Sequence, residues 1–138
     1  MFLDQTDKQI LSALRQNSRL QWKELGEKVH LTGQAAADRV RRLEDAAILK
    51  AYTITVDEEK LGNRTQALIH VFLNNDCHPA FQNFIRKRDE IRAAHRISGH
   101  GCYILEVILA DSAALNALLD DLLPYGNYQL NLSIQQIK

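Results

Sequence analysis

The sequence predicts an α+β protein in two parts: three short helices, then a sheet layer with the element order β-α-β-β-α-β. Three observations predict it. The hydrophobic period is helical up to about residue 50 and then alternates between strand-like and helical stretches. A tight turn, His30-Leu31-Thr32-Gly33, separates the second and third helical stretches. The basic residues concentrate in the first third: residues 8–50 hold nine Lys/Arg against five Asp/Glu, and residues 51–138 hold eight against ten.

The first helix is expected to begin after Asp4, an N-cap, with Asp7 adding negative charge at N3. Leu3, Ile10, Leu11 and Leu14 keep the i, i+3, i+4 spacing of one apolar face. After the polar break Gln16-Asn17-Ser18, a second helix is expected over about 21–29 with Leu25 and Val29 inward. Thr32 is the expected N-cap of a third helix over about 33–46. On that helix Ala36, Val40, Leu43 and Ala47 share one face, which must be the buried one.

Ile48 to Val56 reads as an extended strand, with Ile48, Tyr52, Ile54 and Val56 on one alternating face. Residues 57–62 read as a short helical turn closed by Gly62. Beyond this junction, strands are expected at 67–73, 91–98, 103–109 and from Tyr128 to Ile134. Helices are expected over 79–88, burying Phe81, Phe84 and Ile85, and after Asp111, burying Leu115, Leu118, Leu119, Leu122 and Leu123. This order fits a ferredoxin-like unit with helices on one side of the sheet. The predicted domains are therefore 1–50, a linker over 51–63, and 64–138. Strands apolar on both faces leave one sheet face in need of a cover, and a second copy of the chain is the expected one.

The composition bounds the function. Apolar residues make up 46% and charged residues 25% of the 138, as in a folded globular chain, and the formal net charge is zero. No apolar run approaches the roughly 20 residues of a membrane span, and residues 1–5 carry no export signal, so a cytoplasmic location is expected. Cys77 and Cys102 form no C-x-x-C pair, and the five histidines lack metal-binding helix spacing, so neither a metal nor a cofactor is expected.

Three short helices with a tight turn between the second and third form a helix-turn-helix pattern, and the expected partner is double-stranded DNA. On the third helix Gln34, Asp38 and Arg41 point away from the apolar face, with Ala37 and Arg42 beside them. Gln pairs in bidentate fashion with adenine, and Arg with guanine or phosphate. Gly33 and Ala37 are small enough to let backbone approach the groove. Asp38 repels phosphate unless paired, and Arg41 at i+3 or Arg42 at i+4 can pair it. Arg39 and Arg42 are placed for phosphates or pairing.

Together these residues resemble the Lrp/AsnC (feast/famine) family of transcriptional regulators. The resemblance lies in Leu3-Asp4-x-x-Asp7-x-x-Ile10-Leu11-x-x-Leu14, Arg19-Leu20 with Glu24-Leu25, Leu31-Thr32, Arg39-Val40-Arg41-Arg42-Leu43-Glu44 and Ile48-Leu49-x-x-Tyr52, and in the βαββαβ tail. It implies a winged helix-turn-helix over Trp22 to Arg41, an ACT-like effector and oligomerisation domain, and dimers that assemble into rings, often octamers. It also implies an amino-acid effector near the loop Gly99-His100-Gly101-Cys102-Tyr103. Three positions depart from the family pattern. Ala47 stands where a C-terminal Gly is usual, Gly33 where Pro is frequent, and Cys102 where an acid is usual. A neutral thiol is a poor substitute for a carboxylate that holds an ammonium group.

A non-enzymatic regulator is the leading expectation. Two alternatives remain at this point: an architectural DNA-wrapping protein of low sequence specificity, and a tetrapyrrole decarboxylase-like enzyme of the same fold using His95, Arg96 and His100.

Overall fold

A computed structural model describes residues 2–138. The chain separates into two compact units, Met1–Thr55 and Val56–Lys138.

The first unit holds α1 (Gln5–Gln16), α2 (Trp22–Lys28) and α3 (Gly33–Asp45). Each starts where local chemistry satisfies its free N–H groups. Asp4 accepts from the Asp7 N–H and Asp7 accepts from the Asp4 N–H, a reciprocal capping box. The Gln21 N–H donates to Glu24 at 2.9 Å, and the Thr32 hydroxyl accepts from the Ala35 N–H at 3.1 Å. One core joins the three helices: Ile10, Leu14, Leu25, Val29, Ala36, Val40 and Leu43, with Ile48 and Leu49 packed against it.

Two expectations for this unit need correction. Ala47 is exposed and does not belong to the buried face of α3. It is the left-handed residue that ends the helix, at φ 54°. Its N–H donates to Glu44 and the Ile48 N–H reaches back to Leu43, so Ala47 takes the place a glycine fills in this type of helix end. Residues 48–56, expected as a strand, form none, because this stretch has no ladder partner among the described residues. Tyr52, Ile54 and Val56 are exposed, and the described residues of the unit form three helices and no wing sheet.

The second unit is β1 (Thr65–Leu73), α4 (His78–Arg86), β2 (Ile91–Arg96), β3 (Tyr103–Leu109), α5 (Ser112–Leu122) and β4 (Gly126–Leu132). Its sheet is antiparallel in the order β2-β3-β1-β4, the arrangement expected of the split βαβ unit. Ala67, Ile69, Val71, Tyr103, Leu105 and Val107 face α4 and α5 and pack on Phe81, Leu115, Leu118, Leu119 and Leu122. Each such leucine contributes about 1.5–3 kcal/mol when fully buried. Leu123 departs from the predicted stripe and is half-exposed, because it caps α5 beyond the turn that faces the sheet. Ile134 lies past the end of β4 and is exposed. Residues 57–62 form the expected single helical turn: the Leu61 N–H reaches the Asp57 carbonyl, and Gly62, at φ +91°, closes it with its own N–H on Glu59 and the Asn63 N–H on Glu58. The sheet's other face, with Leu68, His70, Phe72, Ile104 and Glu106, carries no helix of this unit.

Candidate nucleic-acid interface

The geometry of the helix-turn-helix is fixed by its turn. α2 ends with His30 in the left-handed region at φ 58°, and the Leu31 N–H returns to the Gly26 carbonyl at 2.8 Å. This fold-back brings the turn onto the side of α2. A Cβ on Gly26 would stand 2.6 Å from the Leu31 carbonyl oxygen and 2.9 Å from the Thr32 carbonyl carbon, so only glycine fits there. Gly33 meets α2 from the other side, its Cβ position lying 3.0 Å from the Lys23 nitrogen and 3.1 Å from the Trp22 carbonyl carbon. The small size of Gly33 therefore serves the α2–α3 contact.

Gln34, Asp38, Arg41 and Arg42 form the exposed side of α3, and Ala37 is half-buried beside them. Asp38 Oδ1 accepts from Gln34 Nε2 at 3.1 Å and from Arg41 Nη1 at 3.4 Å. The expected pairing with Arg41 is present, whereas no ion pair joins Asp38 to Arg42 among the described residues. Both members of the Asp38–Arg41 pair are more than half exposed, so the pair is worth little and opens readily for another partner. Trp22 opens α2 and is half-exposed, facing the same groove as Ala37, Arg41, Glu44 and Tyr52.

Arg39 stands apart from this face. Its Nη1 lies 2.6 Å from Asp4 Oδ2 and 2.8 Å from Asp7 Oδ1. The guanidinium holds the Asp4 carboxyl below its ordinary value, with the Asp7 N–H adding to the effect, and the two carboxylates raise Arg39 in turn. Asp7 is only 3% exposed, the one buried charged residue among those described. The sequence grouped Arg39 with the DNA-contacting residues; the structure engages its guanidinium in a tie between α3 and the start of α1.

At the other end of α3, the Tyr52 hydroxyl donates to Glu44 Oε1 at 2.7 Å. Burial, reinforced by this carboxylate, pushes the Tyr52 phenol up to about 12.

In the second unit the loop before β3 turns on Gly99 and Gly101, at φ +95° and +97°. The Cys102 N–H donates to the Val71 carbonyl at 2.8 Å, pinning the loop to β1. The His100 ring lies over the uncovered sheet face. Its Nε2 is 2.9 Å from Gln129 Oε1, its centroid is 4.9 Å from that of Phe72 in an edge-on contact, and its carbonyl is 3.3 Å from His70 Nδ1. Tyr103 does not join this group. It pairs with Val71 and shares its buried parity, so its ring packs on Phe81 and its hydroxyl bonds His78 Nδ1 and Gln82 Nε2, each at 2.9 Å. The predicted effector residues thus divide. Gly99, His100, Gly101 and Cys102 are in the loop, and Tyr103 points into the core beneath α4.

Comparison with known proteins follows the same division of the chain. Residues 3–44 match the AsnC-type helix-turn-helix domain and residues 66–138 match the Lrp/AsnC ligand binding domain. The chain belongs to the Lrp/AsnC family of transcriptional regulators. It is 50% identical over 138 residues to the HTH-type transcriptional regulator LrpB of Bacillus subtilis, covering all of this chain and 93% of that one. The solved structure of B. subtilis LrpC superposes with a TM-score of 0.95 at 31% identity, covering 100% of this chain and 99% of that one. A Neisseria meningitidis transcriptional regulator in complex with L-Met superposes with a TM-score of 0.93 at 29% identity, covering 99% of this chain and 93% of that one.

Within this Lrp/AsnC frame, several residues that shape the site were not assigned to it from the sequence. Gly26 carried a weak signal, an isolated glycine inside a helical pattern. His70, Phe72 and Gln129 could be found only by parity, since they occupy the strand positions alternate to the core residues. The tie of Asp4 and Asp7 to Arg39 spans more than thirty residues, which no local pattern reports.

Proposed function

We propose that this Lrp/AsnC-type regulator reads DNA in the major groove with α3, using Gln34, Asp38 and Arg41 at base edges and Arg42 at phosphate, with Trp22, Thr32, Gly33 and Ala37 shaping the approach. The observation that carries this reading is a glycine-locked α2–α3 turn that presents one exposed polar face with a Gln, an Asp and two Arg. Asp38 accepts from Gln34 and Arg41 in the free protein and from a cytosine amino group when the face meets a base pair.

The protein works as a homo-oligomer. The uncovered sheet face bears Leu68, Phe72, Ile104 and Ile108 among polar residues, with Leu68 at 43% exposure. A second copy covers it, and such dimers assemble further, to an octamer. Several DNA-reading heads then act together through avidity. The loop Gly99 to Cys102, with His70, Phe72 and Gln129, is the effector site. Its ligand is of the amino-acid class, as the L-Met of the Neisseria regulator suggests. Cys102 supplies no carboxylate for an ammonium group, so the ligand is held by backbone and histidine contacts.

Selecting duplexes from a random library with the full chain tests the reading. The wild type is expected to bind a selected duplex more than tenfold tighter than random DNA. Arg41→Ala is expected to cost roughly 1–3 kcal/mol on the selected duplex. A ratio below about tenfold would favour a DNA-wrapping protein of low specificity instead.

A further inference from the structure

Arg39, Asp4 and Asp7 close a ring of hydrogen bonds. The Asp4 N–H donates to Asp7 Oδ2 and the Asp7 N–H to Asp4 Oδ1, while Arg39 Nη1 donates to Asp4 Oδ2 and Asp7 Oδ1. All four carboxylate oxygens have a partner. The same two carboxylates cap α1 and hold α3, so the start of one helix and the middle of the other are fixed to each other. Among the described residues this is the only polar tie between α1 and α3. Two residues, about 200° of helical rotation, separate Arg39 from Arg41. Arg39 therefore lies off the reading face, and its side chain is 24% exposed.

We propose that Arg39 is a positioning residue for sequence recognition: through Asp4 and Asp7 it sets the orientation of α3 and hence the aim of Gln34, Asp38 and Arg41, without contacting DNA itself. This rests on the reading of α3 as the recognition helix. The physical reason is a difference in tolerance. Bidentate contacts to base edges demand a defined helix placement, whereas the phosphate contribution is sequence-independent and tolerates small tilts. A loosened clamp degrades discrimination before it degrades general DNA affinity.

The experiment compares the full-length wild type with Arg39→Lys and Asp4→Asn. Lys keeps a cation beside the buried Asp7 carboxylate but carries it on a flexible stem, without the rigid planar guanidinium that fixes Nη1 between the two acids. Asn keeps an N-cap oxygen and loses one charge, so it serves where the lysine variant folds poorly. Binding is measured to a duplex selected by the wild type and to a random duplex, over a salt series, at a temperature where circular dichroism shows each variant folded. The expected result is a loss of about five- to tenfold on the selected duplex for Arg39→Lys and about two- to threefold for Asp4→Asn. Random-duplex affinity and both salt slopes stay unchanged. A contribution to stability alone leaves the selected-to-random ratio at the wild-type value in both folded variants, and overturns the proposal. So does a fall of about one in the salt slope on both duplexes when Arg39→Gln, added to the series at a temperature where it is folded, removes the cation, since that puts Arg39 on a phosphate. A wild type that selects no duplex removes the DNA-reading function first, and the role of Arg39 falls with it.

Discussion

The Tyr52 hydroxyl and the Glu44 carboxylate, 2.7 Å apart, latch the chain that leaves the helix-turn-helix onto the end of α3. Glu44 closes the Arg-Arg-Leu-Glu stretch of α3, and Tyr52 is the first aromatic after it. The bond lets the segment after the helix end retrace the groove beside Trp22 and Arg41.

The latch has a spectroscopic signature. The other three tyrosines are Tyr103, Tyr125 and Tyr128, so Tyr52→Phe removes one of four phenols from an ultraviolet titration. The phenol lost is expected to be one ionising near 12 rather than near 10. The proton binds more tightly in the folded state. The latch's stabilisation is thus fully present below the ordinary value of 10 and is lost as pH rises from 10 towards 12. Alkaline unfolding that is indifferent to Tyr52→Phe over this window would exclude the latch as a contributor.

The acid limb belongs to Asp4. Its folded carboxyl is lowered below the ordinary 3.8, chiefly by the Arg39 hydrogen bond. Its contribution is therefore present above that value and lost as pH falls through the lowered folded value. Asp4→Asn is expected to be less stable than the wild type near neutral pH, and the gap should close in strong acid. Denaturant melts at pH 7 and pH 2.5 check it.

Ala47 is predicted to be a correctable flaw. An L-residue at φ 54° is strained by about 1–2 kcal/mol, and glycine is not. Glycine's larger unfolded-state entropy cancels part of this gain. Ala47→Gly should stabilise the first unit by about 0.5–1 kcal/mol in urea melts, provided the helix end keeps its two return hydrogen bonds.

Gly26 makes the opposite prediction. Ala at this position meets backbone, which cannot rotate away, so the turn must open. Gly26→Ala is expected to destabilise by about 1–3 kcal/mol. It should also weaken DNA binding, since the turn sets the angle between α2 and α3. A wild-type melting temperature in this variant would refute the close approach.

Asp38 separates affinity from discrimination. Asp38→Asn removes a negative charge from the reading face and frees Arg41 from its 3.4 Å pair. Affinity for random duplex should rise a few-fold at low salt, while the preference for a selected duplex falls. Paired binding curves on the two duplexes decide it.

Much of this was written in the sequence, because local chemistry sets it. The caps at Asp4, Thr32 and Asp111, the buried stripe through Ala36, Val40 and Leu43, and the parity of Ala67, Ile69 and Val71 follow from periodicity and from side chains that bond within three residues. The exposed side of α3 followed from the same spacing. Tertiary structure alone decided the rest, because it depends on partners distant in sequence. Residues 48–56 have strand-forming side chains and, among the described residues, no strand to pair with. Arg39 reads as one of three basic residues on a DNA-facing helix until two carboxylates more than thirty residues away claim it. Tyr103 sits among loop residues in sequence, but its pairing with Val71 turns it into the core. Periodicity reports which side of an element is wet. Only the packed chain shows which of those wet groups already have a partner.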